Sequence, residues 1–211
     1  WQLDNETKHY DNIGRYMQEG FVRSLQEKYP DLRQLNRDFG LDYWSNRIDR
    51  WQDFPPVENT INASLACAFS RYQRQQVTEY LAWQAAIVRE YAQPHQFVTH
   101  NFDFEWRGYS YGVQPRVDHF AAAQALDIAG VDIYHPSQAH LTGREIAFGG
   151  AITRSLKPGQ NYFVLETQAQ GFAQWTPFPG QLRLQAFSHI ASGAAMVSYW
   201  HWHSIHNAFE T

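Results

Sequence analysis

Two glutamates end short apolar stretches that lie far apart in the sequence. Glu6 ends the opening segment WQLDNE, and Glu166 ends the segment YFVLE. A pair of carboxyl groups that face each other can cleave a glycosidic bond, one as proton donor and one as nucleophile. Their surroundings must differ, because the acid has to hold a proton while the nucleophile stays ionised. On position alone, two solvated loop carboxylates are the alternative interpretation.

Four apolar segments after residue 90 predict the strands that would position these carboxylates. They cover residues 96–101, 129–134, 161–166 and 195–200, and they are rich in Val, Ile, Phe or Tyr. Helical patterns alternate with them, and these lie at residues 117–128, 143–156 and 180–191. A strand and a helix that recur about every 30 residues are typical of βα units and a parallel sheet.

The front half of the chain is predicted to be helical after the opening segment. Helices are expected at residues 16–28, 31–39 and 64–91, with Asn62 or Ser64 capping the last of them. If residues 1–5 end a strand, the chain holds about four and a half βα units, whereas a closed barrel needs eight. We therefore expect residues 1–211 to be one partial catalytic domain, the C-terminal part of a (β/α)8 barrel whose first strands lie upstream.

Composition excludes several functions. The formal net charge is -4 and no basic stripe is present, so we expect no nucleic-acid partner. No run of about 18 apolar residues appears, so we expect no membrane partner. Cys67 is the single cysteine, which excludes a disulfide framework and a cysteine-based zinc site and suits a reducing compartment.

Aromatic residues make up 16% of the chain, with eight Trp and twelve Tyr. Many of them stand beside polar residues near turn signals, as Trp44 and Trp175 do. Aromatic faces with polar neighbours suit a ligand that has both C–H faces and hydroxyl groups, such as a sugar. Packing of a core is the other interpretation of the same residues.

Two other functions compete with a two-carboxylate glycosidase. His201 and His203 form an HxH pair on the last predicted strand, which a metal-dependent barrel hydrolase could use as ligands. Such enzymes carry that pair on the first strand, so sugar-pocket walls are the preferred interpretation of these histidines. A sugar-binding protein that lost catalysis would keep the aromatic residues but would not need both Glu6 and Glu166.

Six ordered motifs resemble glycoside hydrolase family 42, a family of retaining barrel β-galactosidases. WQLDNE is similar to the family's Trp-Gln-Ile-Asp-Asn-Glu motif, and DLRQLNRDFGLDYWS is similar to its Leu-x-x-Leu-Asn-x-x-Trp-Gly segment. VTHNF, GVDIYHP, VLETQ and the pair QLRLQAFSHIASGA with YWHWHSIHNAFE follow in the family's order. The resemblance covers essentially the whole chain and implies a barrel running from the end of strand 4 through strand 8.

The resemblance also implies roles for individual residues. Glu6 matches the family's general acid/base, Glu166 matches its nucleophile, and Asn5 matches the residue that contacts the sugar 2-hydroxyl. The positions matched to galactose binding are Trp44, Tyr134, Trp175 and Glu210.

The same resemblance implies a galactoside substrate, no cofactor and a homo-oligomeric full-length protein, with trimers in the family. Some family members bind zinc through cysteines after the acid/base motif. The corresponding segment here reads TKHYDN, without cysteine, so we expect no metal site. The single cysteine is in keeping with a cytoplasmic location, which we take as the expected one.

Overall fold

The computed structural model describes residues 1–104, 113–135, 142–168 and 176–201. These residues divide into two compact units. One unit consists of residues 8–77, and the other consists of residues 1–7 together with the described residues from 78 onward. Among the described residues, no helix has the length and hydropathy that a membrane-crossing segment requires.

The unit of residues 8–77 is helical. It contains α1 (Arg15–Lys28), α2 (Leu32–Phe39) and the first half of α3 (Ala63–Tyr91). Aromatic and aliphatic side chains from these helices and their connections share one core, because each helix is apolar along one face only. The buried members of that core are Phe21, Leu25, Tyr29, Leu35, Leu41, Ile48, Val57, Leu65 and Phe69.

Polar caps fix the ends of these helices. The Asp31 carboxylate accepts a hydrogen bond from the backbone N–H of Arg33 at 2.9 Å, which starts α2. That helix ends at Gly40, whose φ of 65° lies in the left-handed region that glycine tolerates. The Asn62 side chain accepts from the N–H of Leu65 at 2.9 Å, so Asn62, one of the two predicted caps, is the one that caps α3. The three helices predicted in this half are thus confirmed to within one residue.

The second unit is built on a parallel sheet. Its strands are β1 (Asn101–Phe104), β2 (Gly130–Ile133), β3 (Tyr162–Glu166) and β4 (Ala194–Val197), in the order β1-β2-β3-β4. Residues 1–3 extend the sheet beyond β1, since Leu3 N–H and Thr99 N–H each donate a 2.8 Å hydrogen bond across this pairing. Consecutive parallel strands in sequence order are the arrangement of an arc of a (β/α)8 barrel.

Helices connect the strands, as parallel pairing requires. They are α4 (His119–Ala122), α5 (Arg144–Leu156) and α6 (Gln181–Ala191). The last two agree with the prediction to within one residue. One cluster of buried side chains in the sheet consists of Phe104, Val131, Ile133, Tyr162, Val164 and Ala194.

Three predicted elements differ from the structure, and the first is the strand predicted at 195–200, which runs only from Ala194 to Val197. The helix predicted over 117–128 is confined to α4 and a short 3-10 turn, because Asp127 turns away to accept a 2.8 Å hydrogen bond from Val98 N–H. The strand predicted at 96–101 instead begins at Asn101 and runs to Phe104. Residues 98–99 bond to the opening segment and to residues 127–128, outside the regular ladder.

Gly130 starts β2 at a point where no side chain fits. A Cβ atom there would lie 2.6 Å from the backbone oxygen of His100 and would also collide with the Leu165 side chain. Since the backbone oxygen cannot move aside, Gly130→Ala is expected to lower the free energy of unfolding by about 1–3 kcal/mol. Urea denaturation of both variants measures this loss, with Gly14→Ala as control because no atom outside its immediate chain neighbours lies within 4 Å of its Cβ position. Equal midpoints for the two variants would contradict the prediction.

Candidate active site

Glu6 lies in a tight turn that follows the paired segment. Asp4 and Glu6 have φ angles of 40° and 45°, in the left-handed region that costs free energy for residues other than glycine. Thr7 holds the turn by donating its hydroxyl to Asp4 Oδ2 at 2.7 Å and its N–H to His100 Nε2 at 3.3 Å. His100 Nδ1 lies 2.6 Å from the Leu3 carbonyl, which only accepts, so this nitrogen carries the hydrogen. Burial lowers the pKa of His100 and keeps the ring neutral.

Glu166 is the last residue of β3, and the Tyr134 hydroxyl is the main donor to its carboxyl group. The Tyr134 hydroxyl, directly after β2, donates to Glu166 Oε2 at 2.7 Å. Asn101 Nδ2 lies 3.3 Å from Glu166 Oε1. Burial, and next the hydrogen bond to Glu166, raise the pKa of Tyr134, so the phenol keeps its proton and remains a donor. The hydrogen bond from Tyr134 therefore fixes the orientation of the Glu166 carboxylate, and the longer contact with Asn101 adds to it.

The Asn101 side chain links the strand ends to the Glu6 turn. Its Nδ2 donates to Asp132 Oδ2 at 2.6 Å and to Asn5 Oδ1 at 2.9 Å, which uses both amide hydrogens, so the longer contact with Glu166 Oε1 shares one of them. Its Oδ1 accepts from Gln2 Nε2 at 2.9 Å and from Glu6 N–H at 3.3 Å. Asn101 is fully buried, so these bonds form away from bulk water. One amide thus fixes the relative positions of three chain segments.

Three carboxyl groups meet at this edge of the sheet. Glu6, Asp132 and Glu166 each offer one oxygen, and these oxygens lie within 4.8 Å of one another. The two glutamates are partly exposed, whereas Asp132 is 1% exposed. Burial, and next the charge of Glu166, raise the pKa of Asp132 to about 9. Asp132 is therefore a neutral acid at pH 7, and the three groups are chemically distinct.

The predicted site residues fall into three groups. Asn5, Glu6, Tyr134 and Glu166 are brought together by the structure. Trp44 lies in the helical unit, exposed on a 3-10 turn, so its contact with a sugar stays a prediction. Trp175 and Glu210 lie outside the described residues, as does His203.

Asp132 and Asn101 were missed by the sequence reasoning. A carboxyl inside the apolar segment GVDIY and an amide closing VTHN were the available signals, since buried polar side chains require partners. The described part of the chain gives no support to the metal-dependent hydrolase that His201 and His203 suggested. There, the group of three or more potential metal ligands that lie close together consists of carboxylates and includes no histidine.

A buried histidine, His135, joins the carboxyl-terminal ends of β2 and β3 through hydrogen bonds. His135 follows the tyrosine, and it exchanges two backbone hydrogen bonds of 2.8 and 2.9 Å with the amide of Gln168. Its Nδ1 lies 2.8 Å from Glu145 Oε1 on α5, and its Nε2 lies 3.3 Å from Thr167 Oγ1. Both Thr167 and Gln168 come directly after the glutamate of β3. The network therefore ties the two strand ends together at the point where their functional side chains emerge.

His189 on α6 makes this region sensitive to acid. It is fully buried beside His135, and burial lowers its pKa from 6.5 to about 4. The unfolded chain binds a proton near pH 6.5 but the folded chain does not. The contribution of neutral His189 to the free energy of unfolding is therefore fully present above about pH 6.5. It is lost as the pH falls to about 4, and the total loss is about 3 kcal/mol.

His189→Leu is expected to remove that share of the pH dependence. Urea denaturation at pH 7 and pH 4.5 should show a smaller loss of stability for this variant than for the unsubstituted protein. The exposed His95 provides the matched control, since His95→Leu should leave the difference between the two pH values unchanged. A His189→Leu variant that loses as much stability in acid as the unsubstituted protein would contradict the burial argument.

Comparison with known proteins identifies the family. A family model described as Beta-galactosidase, that of glycoside hydrolase family 42, matches residues 1–211. A β-galactosidase of Thermus thermophilus is 31% identical over 96% of this chain and 34% of its own length. A β-galactosidase of Haloferax lucentense is 29% identical over 96% of this chain and 32% of its own length.

Solved structures agree with the fold. The crystal structure of a Bacillus circulans β-galactosidase superimposes with a TM-score of 0.83 at 23% identity, over 100% of this chain and 31% of that one. The chain thus spans about a third of the length of the relatives it matches. The matched family model covers every residue, including the segments that carry the two glutamates. This chain belongs to glycoside hydrolase family 42, the family of β-galactosidases.

Proposed function

We propose that this chain carries the two catalytic carboxyl groups of a retaining β-galactosidase. The observation that carries the proposal is the meeting of Glu6 and Glu166 at the carboxyl-terminal edge of a parallel sheet, with oxygens within 4.8 Å. Carboxyl groups about 5 Å apart are typical of retaining glycosidases, whereas inverting enzymes place them at least about 6.5 Å apart to admit a water molecule. The short spacing therefore favours a covalent intermediate.

In the proposed mechanism Glu166 is the nucleophile. Its carboxylate attacks the anomeric carbon of a terminal β-linked galactose while Glu6 protonates the departing oxygen. Glu6 then takes a proton from water, which attacks the same carbon and releases galactose with retained configuration. The Tyr134 hydroxyl supports this assignment because it orients one oxygen of Glu166 and leaves the other toward the cluster. Asn5 is proposed to bind the 2-hydroxyl of the sugar.

The substrate class and the setting follow from the family. The relatives are named β-galactosidases, so we propose a galactoside substrate, with Trp44, Trp175 and Glu210 among its contacts. We propose that residues 1–211 form part of a single catalytic barrel domain. We also propose that the full-length protein is a homo-oligomer located in the cytoplasm. The proposed reaction uses no cofactor and no metal.

The anomer that forms first tests this function. The full-length protein is mixed with an aryl β-galactoside, and proton NMR follows the sugar product before it equilibrates in water. β-Galactose as the first product is expected, and α-galactose as the first product would contradict retention. No hydrolysis together with tight galactose binding would favour the sugar-binding alternative. Activity that chelators remove and zinc or manganese restores would favour the metal-dependent one.

A further inference from the structure

We propose that Asp132 is a positioning residue that stays a neutral carboxylic acid throughout the reaction, with its proton on Oδ1. This inference rests on the proposed function, because the role of Asp132 is to allow the two proposed catalytic glutamates to lie close together. It assigns a purpose to a third carboxyl group that takes no part in bond making. Its chemistry can nevertheless be tested without measuring any turnover.

Carboxyl groups surround Asp132 on each side in the sheet. It is the register partner of Asp103 on β1 and of Glu166 on β3, and residues in register on parallel strands point to the same face. Glu6 reaches the same place from the opening segment. The charged groups that act on Asp132 are these three acids. The phenol of Tyr134, two residues further along the chain, also lies at this end of β2 and donates to Glu166. An ionised Asp132 would therefore be repelled by all three acids, with the Asn101 amide as its hydrogen-bond donor.

The hydrogen bonds of Asp132 locate the proton. Its Oδ2 accepts the Asn101 amide hydrogen at 2.6 Å. Its Oδ1 is buried and has no donor among the described residues. A buried carboxylate oxygen without a donor is far more costly than a buried hydroxyl, because the negative charge has neither water nor a donor to stabilise it. The proton consequently belongs on Oδ1.

Neutrality of Asp132 serves the nucleophile. A second negative charge beside Glu166 would repel the charge that the nucleophile must carry, and the loss of Asp132 altogether would leave the Asn101 amide hydrogen without its acceptor. A neutral acceptor of the same shape meets both requirements. The role therefore depends on shape and hydrogen bonding, and the ability to ionise contributes nothing to it.

The first measurement is the infrared C=O stretching band of a protonated carboxyl group. Glu6→Gln in the full-length protein removes the other proposed protonated acid of the site. At pH 7 this variant is expected to keep one such band, and Glu6→Gln with Asp132→Asn is expected to lack it. Adding the exposed Asp38→Asn in place of Asp132→Asn is the control and should leave the band. A band that is absent in the single variant, or unchanged by Asp132→Asn, would overturn the proposal.

A pH titration of the single Glu6→Gln variant decides the matter even if the double variant does not fold. The band should persist at pH 7 and disappear only as the pH rises further toward 9, the pKa to which burial and the neighbouring acids raise Asp132 when Glu6 is present. A band that disappears below pH 7 would show an ionised Asp132 under working conditions and would overturn the proposal. Because these readouts need no turnover, they stand apart from a failure of the galactosidase assignment.

The kinetic measurement separates shape from charge. With Glu6 and Glu166 in place, kcat of Asp132→Asn is expected to exceed kcat of Asp132→Leu by about tenfold or more, because the amide oxygen still accepts from Asn101. KM should differ little between the two variants, since Asp132 is proposed to act on the nucleophile through Asn101 and not to bind the sugar. An Asn variant as slow as the Leu variant would overturn the proposal, because it would show that the acid itself is needed.

Discussion

Glu166→Gln is expected to lower kcat for aryl β-galactosides by a factor on the order of 10⁴ or more. The amide cannot carry the negative charge or form the ester with the anomeric carbon that the covalent route requires. It does keep the shape of the side chain, and its oxygen can still accept from the Tyr134 hydroxyl. Galactose binding should therefore remain detectable by calorimetry while turnover is nearly lost in the full-length protein.

A matched substitution distinguishes this effect from general damage. Glu90 is exposed on α3, so Glu90→Gln should leave kcat and KM unchanged. The smaller Glu166→Ala variant adds a chemical test, because added azide can occupy the space of the missing carboxylate and attack in its place. The expected product is α-galactosyl azide. Unchanged turnover of Glu166→Gln, or a β-configured azide product, would contradict the assignment of the nucleophile.

Glu6→Ala is expected to produce a loss that depends on the leaving group. General acid catalysis contributes about 10²–10⁴ to the rate when the departing oxygen needs a proton. Alkyl galactosides and disaccharides should therefore lose activity by that factor. Activated aryl galactosides, whose phenolate departs without a proton, should lose far less in the first step. A comparison of kcat/KM across a series of aglycones measures the difference.

The slope of that series is the informative quantity. In the Glu6→Ala variant, log kcat/KM should fall steeply as the leaving-group phenol becomes less acidic, whereas the unsubstituted protein should show a shallow dependence. Glu90→Ala, on the exposed face of α3, should keep the shallow slope. Equal losses for activated and unactivated substrates would argue that Glu6 supports the fold and is not the proton donor.

The helices were predictable from the sequence because their signals are local. Asp31 and Asn62 cap α2 and α3 with their own side chains, and Gly40 ends α2 in the left-handed region. The segment at 117–128 has no such end signal. Its helix stops early because Asp127 bonds to a residue 29 positions away in the sequence, which a periodic pattern cannot reveal.

The candidate site was predictable in part, for a related reason. Glu6 and Glu166 end apolar segments, and the carboxyl ends of parallel strands converge, so their meeting could be anticipated. Asn101 and Asp132 lie within segments that look like ordinary buried strands. Their importance comes from contacts between strands, namely the register of Asp132 with Glu166 and the amide that joins them. Register depends on the whole sheet and leaves no local signal.

The raised pKa of Asp132 also implies a trade-off between durability and function. The unfolded chain releases this proton near pH 3.8, whereas the folded chain holds it until about pH 9. Across that interval a rising pH favours the unfolded state, and at pH 7 the difference amounts to about 4 kcal/mol. That is a large share of the roughly 5–15 kcal/mol that stabilises a typical domain. Selection for stability alone would replace this aspartate. Its presence therefore indicates that the fold gives up stability at this position in exchange for the function of the site.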